Sequence, residues 1–88
     1  MNKKIYRPYR RFVSHRLIEA REQAALTQKQ VAKTKIMSQS SLSKLENGEG
    51  RVEFIHLIKL AELYKKPIDF FILKEAPVID SEDNESKS

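Results

Sequence analysis

TQKQVAKTKIMSQSSLSKLENG, residues 27–48, contains two helix starts separated by a tight turn, and its reading decides the fold. Thr27 precedes a run of apolar-periodic residues and has Gln30 three places on. The two side chains can therefore satisfy each other's free backbone N–H groups in a capping box, and a helix starts at Gln28. Leu26 and Val31 flank this cap as a hydrophobic staple. Ser38 is the next good cap, with Met37 and Leu42 repeating the staple, so a second helix starts at Gln39. Leu42 and Leu45 make its one apolar stripe. Gln39, Ser40, Ser43 and Lys44 are left on the opposite face, which is polar and rich in donors and acceptors. Two short helices with a tight turn between them form a helix-turn-helix.

Residues on either side extend this unit. The pattern over residues 9–24 is helical, with Val13, Leu17, Ala20 and Ala24 along one face. After a loop at residues 49–51, VEFIHLIKLAELY reads as a helix. Its core stripe is Phe54, Leu57, Ala61 and Tyr64, and Ile55, Ile58, Leu60 and Leu63 widen the apolar surface beyond what one face needs. Pro67 and Asp69 suit the first turn of a fifth helix, whose Ile68, Phe70, Phe71, Ile72 and Leu73 cover part of that excess. The remainder is a candidate homodimer surface. Residues 1–8 read as a basic arm: either a solvated terminus, or an arm that follows a phosphate backbone or enters a minor groove. Residues 9–75 form the folded domain, and residues 76–88 an acidic tail expected to be disordered.

Composition bounds the function. The 88 residues make one small domain without cysteine, so disulfides and thiolate metal sites are excluded. No apolar run is long enough to span a membrane and no secretory signal is present, which reads as a cytoplasmic chain with no membrane partner. The formal net charge is +5. The tail carries −3 of it, leaving +8 on residues 1–75 and favouring a polyanionic partner. No enzyme is indicated. His15 and His56 fall on different helices without a nucleophile or ligand-rich spacing, and the serines of SQSSLS belong to a cap and an exposed face. Gly occurs only at 48 and 50, so no phosphate-cradling glycine loop exists, and no cofactor or metal is expected.

Thr27 and Gln28, Val31 and Ala32, Ser38, Leu42 and Ser43, Leu45 and Glu46, and Asn47 and Gly48 stand at the spacings of a known pattern. In these residues the chain resembles the Cro/repressor-type (XRE, lambda-repressor-like) helix-turn-helix DNA-binding domains, with similarity over residues 13–71. The resemblance implies an all-α, five-helix domain in which helices 2 and 3 form the motif and helix 3 enters the major groove of double-stranded DNA. It implies base contacts by Gln39, Ser40, Ser43 and Lys44, Gln39 being suited to adenine N6 and N7. Backbone contacts fall to Gln28, Ser38, Asn47 and Arg51, with Gln28 either touching a phosphate or bracing Gln39. It also implies an ion pair between Arg21 and Glu46 that clamps helix 1 to helix 3. Ile36 departs from the pattern, which has Gly in a positive-φ turn there, and Lys35 stands where an apolar residue is usual. Either Ile36 is strained, or the turn is rebuilt with Ile36 taking over the core role of position 35; the second is expected. The function implied is a sequence-specific transcriptional regulator, a repressor acting as a dimer on an inverted-repeat operator. The alternative is a protein-interaction module, such as an antitoxin, that docks a partner through the helix 4/5 apolar face or the tail.

Overall fold

A computed structural model describes residues 3–74, in four α-helices and one 3-10 turn. They are α1 (Lys3–Gln23), α2 (Gln28–Lys33), α3 (Gln39–Glu46), α4 (Phe54–Tyr64) and the 3-10 turn Ile68–Phe71. The tail at 76–88 and the first two residues of the arm lie outside the described residues.

The two caps of the motif form as their residue types require. Gln30 N–H donates to Thr27 Oγ1 at 3.1 Å, and Thr27 N–H donates to Gln30 Oε1 at 2.9 Å, completing the capping box of α2. At α3, Ser38 Oγ accepts from Ser41 N–H at 3.1 Å. Three helices end in the same kind of motif, in which a left-handed residue lets the chain fold back onto the last turn. Leu26 N–H reaches Arg21 C=O, Glu49 N–H reaches Lys44 C=O, and Lys66 N–H reaches Ala61 C=O. The left-handed positions are Ala25, Gly48 and Lys65. Glycine supplies this conformation only at Gly48, where φ is +79°.

The core gathers Leu17 and Ala20 of α1, Val31 of α2, Leu42 and Leu45 of α3, Leu57, Leu60, Ala61 and Tyr64 of α4, Met37 from the turn, and Phe71. Phe71 is fully buried and meets Phe70 edge to face, with centroids 5.2 Å apart. Val13, Ala24 and Leu26 pack against this cluster from its rim.

The structure departs from the sequence reading at four places. α1 begins at Lys3, so residues 3–8 of the expected arm are its first helical turns. The helix runs through Pro8, which lacks the N–H that would bond the Lys4 carbonyl. It is fastened to the body further along, where the Arg16 guanidinium stacks 5.0 Å from the Phe12 ring centroid and 4.4 Å from that of Phe70. α2 ends at Lys33, and Lys35 rather than Ile36 takes the positive φ, at +68°. Ile36 then turns inward and packs against the core, which is the rebuilt turn expected of this sequence. The fifth helix is a single 3-10 turn, since Pro67 is extended before it and Ile72 is extended after it. Phe54, placed in the core stripe by periodicity, is 65% exposed, because α4 begins at Phe54 and its first residue precedes the stripe that meets α1.

Candidate nucleic-acid interface

Each polar residue of the expected interface owes its position to the packing beneath it. Leu42 and Leu45 bury one side of α3, which turns Gln39, Ser40 and Lys44 into solvent and leaves Ser43 half-buried. Asn47, one turn further along the same side, is exposed and closes the helix. Five of the expected contact residues therefore occupy one face and its end. Lys44, Arg51 and His56 line a shallow cleft of about 200 Å³ beside α3, together with Glu49 and Glu53. Lys44 and Arg51, from different elements, are thus brought to one place. The two glutamates on the same wall partly offset their charge.

Two expected backbone contacts are committed within the fold. The Ser38 hydroxyl serves as the α3 cap and also donates to Ser41 Oγ at 3.0 Å, so what Ser38 leaves open lies in the backbone. Gln28 is tied to the motif's own network: its Nε2 donates to Glu46 Oε1 at 2.9 Å, and the residue is half-buried. The first N–H groups of a helix have no intrahelical partner, and at the starts of α2 and α3 those not taken by these caps are donors suited to phosphate oxygens.

Glu46 is the centre of a network that joins three helices. Arg21 Nε donates to Glu46 Oε2 at 2.7 Å, and its Nη2 donates to Oε1 at 3.1 Å, a bidentate pair. The remaining nitrogen, Nη1, donates to Leu26 C=O at 2.8 Å. The Glu46 side chain is 4% exposed and that of Arg21 15%. The bond to Glu46 holds the Arg21 guanidinium above its ordinary pKa, with burial opposing the shift. Tyr64 lies close enough to feel both charges. Its hydroxyl is pushed up to about 12, chiefly by burial and then by the Glu46 carboxylate.

Arg10 is a positioning residue that the sequence analysis did not single out. Its guanidinium donates to Glu49 C=O at 2.7 Å and, at longer range, to Gly50 C=O at 3.4 Å and Leu45 C=O at 3.5 Å. It thereby holds the loop that carries Arg51 and meets the negative end of the α3 dipole. The signal was available in register: Arg10, Ser14, Leu17 and Arg21 fall at i, i+4, i+7 and i+11, one stripe of α1. Ser14 is buried on that stripe and satisfies its hydroxyl on the Arg10 and Arg11 carbonyls. A Cβ built on Gly48 would lie 3.8 Å from Ser14 Oγ, so α1 passes close to the end of α3.

Among the described residues no group of three or more His, Asp or Glu side chains could hold a metal ion, and no helix is long and apolar enough to cross a membrane. No curated protein and no solved structure matches the chain. A helix-turn-helix family model matches residues 17–71, which takes in the last two turns of α1, the capped α2 and α3, α4 and the 3-10 turn. The capped pair α2 and α3, braced on α1 through Arg21 and Glu46, is the unit that this match describes, and the chain belongs to the Cro/C1-type (XRE) helix-turn-helix family of DNA-binding transcription regulators.

Proposed function

We propose that the protein is a repressor that binds an inverted-repeat operator as a homodimer, with α3 in the major groove of each half-site. The observation that carries this reading is the exposed face of α3, where Gln39, Ser40 and Lys44 stand free of the core while Leu42 and Leu45 anchor the helix behind them. Gln39 reads adenine through its amide, Lys44 reaches guanine or a phosphate, and Ser40 and Ser43 supply less selective contacts. Asn47, Arg51 and the backbone N–H groups at Gln28 and Ser38 hold the flanking phosphates. The dimer rests on the apolar surface that the monomer leaves uncovered at the start of α4, where Phe54 and Ile55 are each 65% exposed. A twofold axis there would set two copies of α3 about one DNA turn, roughly 34 Å, apart.

The test is selection from a pool of random duplexes at about 150 mM salt, where non-specific phosphate binding is suppressed. The wild type is expected to enrich an inverted repeat, and Gln39→Ala/Lys44→Ala to enrich none while keeping its melting temperature. If the wild type enriches nothing, the repressor reading fails. The protein-interaction reading would then take its place, with the same Phe54 and Ile55 surface as its docking element.

A further inference from the structure

The N-terminal half of α1 lies ahead of the matched family segment, which begins at residue 17, and it carries a ridge of its own with two arginines. Arg7, Arg11 and His15 fall at i, i+4 and i+8 and so lie along one line of the helix. All three are exposed, and neither Arg7 nor Arg11 forms an ion pair among the described residues. The ridge lines a cleft of about 310 Å³ whose other wall is Asn47 and Gly48, the end of α3. Glu46 also borders this cleft, but both its carboxylate oxygens are already taken, by Arg21 and Gln28. Arg10 fixes the facing loop by binding its carbonyls, so the two walls are held at a set separation.

We infer that this cleft, built by the N-terminal extension of α1 against the end of α3, is a second seat for the DNA phosphate backbone. The inference rests on the DNA-binding reading of the α3 face. α3 has eight residues and is about 12 Å long, close to the roughly 12 Å width of the major groove. With its N-terminal end among the bases, its far end comes up to the strand that walls the groove. Asn47 and Gly48 stand at that end, and Arg7 and Arg11 extend the contact along the same strand. Two guanidinium groups with no carboxylate partner among the described residues suit phosphate oxygens, which they can bind bidentately. The extension thus adds affinity that carries no base preference.

The experiment measures binding of the full chain to its selected operator and to an unrelated duplex, over a salt series, for the wild type and for Arg7→Gln/Arg11→Gln. The expected result is a salt dependence shallower by about 1.8 in log–log slope and a roughly tenfold weaker affinity at 150 mM, on both duplexes alike. The paired Arg7→Lys/Arg11→Lys variant should restore most of the slope. An unchanged slope in the glutamine variant, with wild-type operator binding intact, overturns the cleft while leaving the regulator reading standing. A loss confined to the operator also overturns it, since the arginines would then be reading bases. A wild type that binds no duplex overturns both. Because Arg7 and Arg11 are exposed, the variants should melt with the wild type; if the glutamine pair does not, each single substitution reads about half the slope change.

Discussion

Glu46 has a charged partner on one side and an amide on the other, and the chain spends two polar side chains, from two other helices, on it. A buried carboxylate left alone is costly, whereas a pair with its hydrogen bonds complete is close to neutral against an apolar substitute. Arg21→Ala should therefore cost about 3–5 kcal/mol, read as a fall of more than 10 °C in melting temperature. Replacing both partners, Arg21→Met with Glu46→Leu, should recover much of that loss. A small effect of Arg21→Ala alone would show that the clamp is not what joins α1 to α3. Tyr64 gives a second test at this scale. It is buried, and among the described residues its hydroxyl has no hydrogen-bond partner. Tyr64→Phe is expected to be neutral or to stabilise by about 1 kcal/mol. Its pKa is raised to about 12 in the fold, against about 10 in the unfolded chain. Below pH 10 both states keep the proton. Between pH 10 and 12 the unfolded chain releases it first, so stability falls as pH rises, by roughly 2 kcal/mol from this group. Denaturant melts of wild type and Tyr64→Phe at pH 9 and pH 11.5 should differ in this loss.

At the scale of elements, the helix ends hold the local conflicts. Ala25, Lys35 and Lys65 all adopt positive φ without being glycine. The left-handed conformation costs an ordinary residue about 1–2 kcal/mol, and glycine costs roughly 0.5–1 kcal/mol through the unfolded chain. Lys35→Gly should thus raise stability by about 0.5–1 kcal/mol, a gain of a few degrees in melting temperature. A loss would mean that the Lys35 side chain contributes packing that its exposure does not suggest. α4 has a similar weakness: its N-cap, Glu53, makes no capping bond with its side chain. Glu53→Asp or Glu53→Ser should stabilise the helix by about 1 kcal/mol. Helix 3 needs no such help, because Ser38 already caps it, and substitutions at Gln39 and Lys44 on its free face should change DNA selection and leave the melt unaltered.

For the whole molecule, the question is how many copies act together. An 88-residue chain buries a limited core, and Phe54 and Ile55 stand largely outside it. Ile55→Glu is expected to leave the monomer fold intact, since the side chain is exposed, and to shift a sedimentation profile at tens of micromolar from dimer to monomer. The same substitution should weaken binding to an inverted repeat far more than binding to a half-site, because linked half-sites share one association cost. A wild type already monomeric at that concentration, with and without DNA, would remove the dimer from the proposal.

The local features of the motif were legible in residues 27–48. Thr27, Gln30 and Ser38 act within four residues of themselves, so their caps and the start of α2 and α3 follow from sequence neighbours alone. The apolar periods of α1 and α4 likewise named Leu17, Ala20, Leu57, Ala61 and Tyr64 for the core, because side-chain direction along a helix is periodic. The rebuilt turn was legible as well: Ile36 could not comfortably take the left-handed position, and it was apolar enough to go inside. What tertiary structure decided depends on partners distant in the chain. Arg10 looks like one more charge of a basic terminus until the carbonyls of Glu49 and Gly50, about forty residues on, are brought to it. The bond of Gln28 to the buried Glu46 likewise joins residues eighteen apart. The fifth helix, shortened to one 3-10 turn, is tied to α1 in the same way: Arg16 lies over the Phe70 ring as well as that of Phe12, at a separation that no local pattern encodes.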